Sequence, residues 1–442
     1  MGQKRAVPAV KPACATLMWR PWPVAMAGLC ALAVLLPTGA SAAELYRWLQ
    51  YVPGGLEARA VTDAAQCPPA SIDGKPAVMS ERAPPGGSFP VRTCFLAIAK
   101  EARQLSVADA PLPLPKARAE RILIIGDTGC RISGKQVQAC NDIAEWPFRR
   151  NAEMAASFKP DLIIHVGDVH YRDKACPSGN SGCAGSPFGD NWLVWKEDFF
   201  KPAAALLPVA PWVMVRGNHE DCRHGDRGWA RTLDAYPFAH GAGSDACLGP
   251  EEPYSLDIGG VTILVIDVSM AGKFENKAQL ERCQSQFQSA ASLPGPVWLA
   301  IHRPIWAVEN VGSDKDEDDG VLDAAARHSL PANIAALISG HHHTFEVMGY
   351  VQDLPVQVVS GHGGDELAPH APDTVKGLRI NDVEVKDGIA RPHRFGFSMI
   401  ERATARPGDT TWQLTGYDTQ GHPIGACAVN GREVRCDTPP AP

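Results

Sequence analysis

The chain has 442 residues, 45% of them hydrophobic and 21% charged, the composition of a soluble globular protein with more residues than one ordinary core uses. Its formal charge is −7, and an acidic balance opposes the basic footprint that nucleic-acid binding needs, so no nucleic-acid partner is expected.

Residues 1–42 read as an export signal. Lys4, Arg5, Lys11 and Arg20 precede the apolar run from Val24 to Leu36, and Ala40-Ser41-Ala42 offers a small-residue cleavage site. The apolar run is shorter than the ~17 residues a spanning helix needs, so no stable membrane anchor is expected and the mature chain should be periplasmic or secreted. Cleavage leaves 38 Lys and Arg against 49 Asp and Glu, a formal charge of −11, and 11 of the 13 cysteines. No pair has CxxC spacing, which removes the main support for zinc-finger and thioredoxin readings, and an exported chain with this many cysteines is expected to form disulfides. Pairing neighbours in sequence gives Cys67 to Cys94, Cys130 to Cys140, Cys176 to Cys183, Cys222 to Cys247 and Cys427 to Cys436, leaving Cys283 free.

Residues 43–115 contain short β-like stretches (LYRWLQYV, EARAVTD, VRTCFLAIA) and close on the proline-rich ADAPLPLP at 108–115, which predicts a small, mostly β N-terminal module and a stiff linker. Residues 116–442 then form the main domain. It opens with strand 121–125, a helix from about Pro147, strand 161–166, a helix from about Trp192 and strand 212–216. Strands at 261–267 and 297–301 flank a helix over 277–291, and this alternation implies βαβ units with parallel sheet. After 345, FEVMGY, PVQVVS, FGFSMIE and TWQLTGYD read as consecutive strands, expected as antiparallel additions to a second sheet packed on the first. The acidic run ENVGSDKDEDDG at 309–320 lacks the glycine and final glutamate of an EF-hand loop, so it reads as a solvated rim.

Five motifs at strand ends carry chemistry in one order: GDTG at 126–129, GDVHY at 167–171, GNHE at 217–220, LAIH at 299–302 and GHHH at 340–343. Any one alone is a common turn, but strand ends in α/β sheets converge on one crevice. The five supply Asp127, Asp168, Tyr171, Asn218, His302, His341 and His343, enough donors for two metal ions. His341 and His343 are two apart, so an extended segment would point both the same way and His342 the other.

This set resembles the metallophosphoesterase superfamily, and within it the purple acid phosphatases, whose signature runs GDxG, GDxxY, GNH(D/E), VxxH, GHxH. The resemblance covers roughly residues 120–365, with Leu299 in place of valine in the fourth motif. It implies a four-layer α/β/β/α sandwich and a small-molecule phosphate ester as substrate. Most metallophosphoesterases have a metal-binding histidine where Gly129 stands here, and purple phosphatases use the tyrosine matching Tyr171 instead. The resemblance then assigns ferric iron to Asp127, Tyr171 and His343, a bridge to Asp168, and a divalent iron, zinc or manganese ion to Asn218, His302 and His341. Two such metals would clamp the phosphate of a monoester and supply metal-bound hydroxide. His219 would contact the phosphate with Asn218 and protonate the leaving oxygen, with Glu220 orienting it; His224 and His362 are further candidates for phosphate contacts.

Other readings compete. GCRISGK at 129–135 fits a P-loop but has Gln136 where a Ser or Thr should meet magnesium. No GxSxG string supports a serine hydrolase. A phosphodiesterase or nucleotidase with two divalent metals, and a non-catalytic exported binding protein, remain open, as does the oligomeric state.

Overall fold

The computed structural model describes residues 43–238, 249–272, 276–309, 320–403 and 410–437. Residues 1–42, expected to be an export signal, Cys247 and most of the acidic run lie outside them. Among the described residues no helix is long and apolar enough to cross a membrane.

Each predicted βαβ unit forms. Strands Arg121–Ile125 and Leu162–His165 pair in parallel across helix Phe148–Ser157, and Pro211–Met214 joins on the far side. In the second sheet Thr262–Val265 pairs in parallel with Val297–Ala300 across helix Lys277–Gln288, whose N-terminal amides at Ala278 and Gln279 are capped by the Asn276 side chain. A helix not read from the sequence, Gly320–Ser329, leads to the next parallel strand, Ile334–Ser339.

Alternation along the strands builds the layers. Ile122, Ile124, Ile164 and Val213 face Ile263, Ala300, Ile338 and Val358 in a core between the two sheets. Leu123, Ile125, Ile163 and Trp212 face the opposite way, onto Phe148, Ala152, Trp195 and Phe199. Leu264, Leu299 and Leu337 cover Phe287, Val321 and Leu322 on the outer side of the second sheet. This is the expected α/β/β/α sandwich.

Two features differ from expectation. Of the four late runs, Phe345–Tyr350 and Val356–Ser360 enter the second sheet, but Gly396–Arg402 and Trp412–Asp418 return to the first, where Ser398–Glu401 pairs antiparallel with Arg121–Ile124. The free edge of Arg121–Ile125 draws them there: Phe397 and Met399 cover the outer core while Ile400 and Leu414 enter the inner one. The N-terminal residues are β-rich as expected and are built into the same sheet. Leu45–Val52 pairs in parallel with Pro211–Met214 through Leu49 and Gln50, and Ala43–Pro442 is one compact unit.

Four of the expected disulfides are present: Cys67–Cys94, Cys130–Cys140, Cys176–Cys183 and Cys427–Cys436. Cys222 is also disulfide-bonded, its expected partner Cys247 lying outside the described residues, and Cys283 is free and buried.

Candidate metal centre

The parallel strands carry Asp127, Asp168 and Asn218 to one edge of the first sheet, and the second sheet brings His302, His341 and His343 to meet them. Asp127, Asp168 and His341 have φ angles of 54°, 58° and 68°. Non-glycine residues rarely adopt this left-handed backbone, which persists where surrounding bonds over-determine it. Those bonds are present. Asp127 N–H donates to the Gly167 carbonyl and Thr128 N–H to that of Asp168, both at 2.9 Å, and His341 N–H donates to Asp127 Oδ2 at 2.9 Å. The histidines at 341 and 343 therefore converge through a bent loop, not the extended segment expected from their spacing.

Two donor groups meet at Asp168. The Tyr171 hydroxyl lies 2.8 Å from Asp168 Oδ2 and 3.1 Å from both Asp127 Oδ1 and His343 Nε2. On the other side His302 Nε2 lies 3.2 Å from the same Asp168 oxygen and 3.1 Å from Asn218 Oδ1. Donor atoms of Asp168, His302 and His341 all fall within 4.8 Å of one another. Two carbonyls fix the tautomers. His302 Nδ1 is 2.7 Å from the Val166 carbonyl and His343 Nδ1 is 2.7 Å from that of Glu366. A carbonyl only accepts, so each Nδ1 carries a proton and each Nε2 is the atom turned to the cluster; against burial, Asp168 raises the His302 imidazole and Asp365 and Asp127 raise that of His343 to about 9, so a cation binding there would displace an Nε2 proton.

This donor set fits a pair of cations. Asp127 and Asp168 are buried with an oxygen of each against the Tyr171 hydroxyl, and its one proton cannot satisfy both carboxylates. Burial pushes Asp127 above the usual carboxylate range, against the pull of His343. Burial also acts upward on Asp168, yet His302 and His219 hold it well below that range. Burial, then the charges of Asp168 and Asp127, drive the Tyr171 phenol well above its ordinary pKa, so a phenolate here needs a cation against it. All the donors are oxygen or imidazole nitrogen, suited to iron, zinc or manganese.

Gly129 and Tyr171 exclude one another's alternatives. A Cβ at 129 would stand 2.7 Å from the Val169 carbonyl and 2.9 Å from the Tyr171 ring, so no histidine fits where the tyrosine lies. A Cβ at Gly217 would stand 2.1 Å from Asp168 Oδ1. Glycine is needed there for the GNHE loop to approach that carboxylate.

The surroundings correct several sequence expectations. Glu220 does not orient His219; its carboxylate accepts from the backbone N–H groups of Asp168, Val169, His170 and Gly217 and so holds two ligand loops together. The group facing the His219 ring is Asp173, whose Oδ2 lies 3.8 Å from His219 Nδ1. Its signal in the sequence is a carboxylate two residues after Tyr171, just outside the GDVHY motif. His219 packs on Tyr171 with ring centroids 4.0 Å apart, and its N–H donates to Asp168 Oδ1 at 2.8 Å. Burial pushes its imidazole well below the usual pKa, against the Asp168 charge. His224 lies beside it, centroids 5.0 Å apart, anchored by Asp221 at 2.9 Å. His362 is fully buried against Phe345 and lowered to about 3 by burial, so it is a core residue and no phosphate contact. His342 is also fully buried. The P-loop segment is a loop closed by Cys130–Cys140, with the next helix starting only at Phe148.

Two arginines were also missed. Arg131 forks onto the buried Asp365, 3.4 Å from His343 Nδ1, and its guanidinium lies 4.7 Å from the Tyr171 ring centroid. Arg303 follows His302 directly and donates from Nη1 to His341 Nε2 at 2.9 Å.

The calcineurin-like phosphoesterase family model matches residues 120–345. Among solved structures, purple acid phosphatase PPD1 from yellow lupin (Lupinus luteus) seeds aligns at 14% identity with a TM-score of 0.54, over 87% of this chain and 74% of that one. PhoD aligns at 9% identity with a TM-score of 0.50, over 89% of this chain and 91% of that one. At these identities the likeness is one of fold. No curated protein matches the sequence.

Proposed function

Since the chain belongs to the calcineurin-like phosphoesterase family, a family of phosphoric ester hydrolases, we propose that it is an exported phosphate monoesterase of the purple acid phosphatase type. One observation carries the choice of type: the Tyr171 hydroxyl occupies the centre of the Asp127, Asp168 and His343 group, and Gly129 leaves no room for another ligand there. In this reading Asp127, Tyr171 and His343 would hold ferric iron, Asn218, His302 and His341 would hold divalent iron, zinc or manganese, and the Asp168 carboxylate would be shared by the two sites. When bound, the pair supplies Lewis acidity to the phosphoryl oxygens and lowers the pKa of a water molecule.

The chain's own residues do the rest. Asp168 offers Oδ2 to both donor groups while its Oδ1 fixes the His219 backbone, so the imidazole keeps its place beside the cluster. Phosphate entering next to His219 raises its pKa, because an opposite charge within ~4–6 Å favours imidazolium. The ring then gives its proton to the leaving oxygen, and Asp173 on the Nδ1 side balances the positive charge that precedes transfer. Export is supported by the leader-like first 42 residues and by the disulfides.

The test is His219→Ala. Metal content should stay near wild type while turnover falls about 100-fold or more on alkyl phosphates, and much less on an activated aryl phosphate whose leaving oxygen needs little protonation. Equal slowing of both substrates, or loss of metal, would remove His219 as leaving-group acid. Asn218→Ala and His302→Ala should instead deplete metal and slow both.

A further inference from the structure

Buried charges in folded proteins are paired, because an unpaired ion in a low-dielectric interior costs several kcal/mol. The site's other buried arginines obey this: Arg172 bonds Asp198, and Arg216 meets Asp226 and Asp267. Arg303 does not. It is 9% exposed, and no carboxylate of the described residues lies within ion-pair distance of it. Its one side-chain hydrogen bond there is from Nη1 to His341 Nε2 at 2.9 Å, and its Nε is buried without a partner. A guanidinium carries five N–H donors and no acceptor. Most of this fork is therefore unused, and it lies against His341, whose donor atom belongs to the group formed with Asp168 and His302.

From this geometry we propose that Arg303 is a substrate-binding residue: its guanidinium takes the oxygens of a dianionic phosphoryl group, and so sets the preference for monoesters over diesters. The proposal rests on the phosphoesterase reading of the same site. A planar fork matches phosphate oxygens two at a time, and the charge-assisted bonds so formed are about twice as strong as neutral ones. A monoester at neutral pH brings a second negative charge that a diester lacks, which is what an uncompensated buried cation rewards. No carboxylate has to be released first, and the bond to His341, a neutral imidazole when it accepts, is weak competition for a dianion.

The experiment compares wild type, Arg303→Gln and Arg303→Lys as metal-loaded proteins. Orthophosphate affinity is read by calorimetry, metal content by elemental analysis, and kcat/KM on an aryl phosphate monoester and the corresponding diester. Arg303→Gln should weaken orthophosphate binding and monoester kcat/KM about tenfold or more, leave metal content unchanged, and slow the diester several-fold less. Arg303→Lys keeps the charge without the fork and should fall between. Unchanged orthophosphate affinity, an equal loss on both esters, or loss of metal through a disturbed His341 would each overturn the assignment. If Arg303→Gln does not fold, the lysine variant decides alone: orthophosphate affinity equal to wild type refutes the fork. A wild type inactive on both esters would instead remove the phosphoesterase reading, a separate failure.

Discussion

Gly129 and Tyr171 show how one small residue selects the chemistry of a site. The motif identified both, but only the ring lying 2.9 Å from the position of a Cβ at 129 explains why they go together. Gly129→Ala should displace the ring and cost about 1–3 kcal/mol as overpacking, read by thermal melting together with loss of any visible absorption; unchanged melting and absorption would show the ring to be slack. Asp173, Asp365 and Arg303 lie outside the five motif strings of this chain, and their role depends on what the fold sets beside them. His224 allows a pH test. Its bond to Asp221 raises its pKa against burial, with Asp173 adding to the rise and Arg223 opposing it, while Asp221, drawn down against burial by His224 and Arg223, stays ionised. A raised histidine pKa gives stability that is fully present below the unfolded value of ~6.5 and is lost as pH climbs through the folded value. The melting-temperature gap between wild type and His224→Gln should thus be widest in mild acid and close above neutrality, and a gap that widened with pH would reverse the sign.

Among the elements, the strands Arg121–Ile125, Leu162–His165 and Val297–Ala300 were legible because apolar runs of the right length end in turn residues. Their partners were not. The return of Gly396–Arg402 to the first sheet joins residues some 275 apart, a choice set by which edge is open and which core needs filling, and no local period encodes it. The disulfides were legible from spacing, and two of them, Cys130–Cys140 and Cys176–Cys183, close loops just after Gly129 and Tyr171. Protein lacking residues 1–42, unfolded without reductant, should titrate one thiol, that of Cys283. Three or more would refute the pairing. Mild reduction should release metal before the sheets melt, since closing these loops limits how far the ligand turns can open.

At the scale of the unit Ala43–Pro442, the N-terminal β module shares a sheet with the strands that carry the metal motifs. Strand Leu45–Val52 lies beside Pro211–Met214, and the buried Arg59 donates to the Thr232 and Asp234 carbonyls, tying the N-terminal strands to the segment that follows GNHE. A chain starting at Lys116 should therefore lose cooperative melting, whereas an independently folding 116–442 domain would melt as in the parent. What the molecule finally presents is a cluster of buried oxygens and imidazoles around Tyr171. The visible absorption spectrum of the purified protein and its Tyr171→Phe variant, taken with elemental analysis, tests that centre most directly. Iron with a second metal and a broad visible band are expected in wild type, with loss of that band in the variant. A colourless, iron-free wild type with full phosphoesterase activity would contradict this expectation.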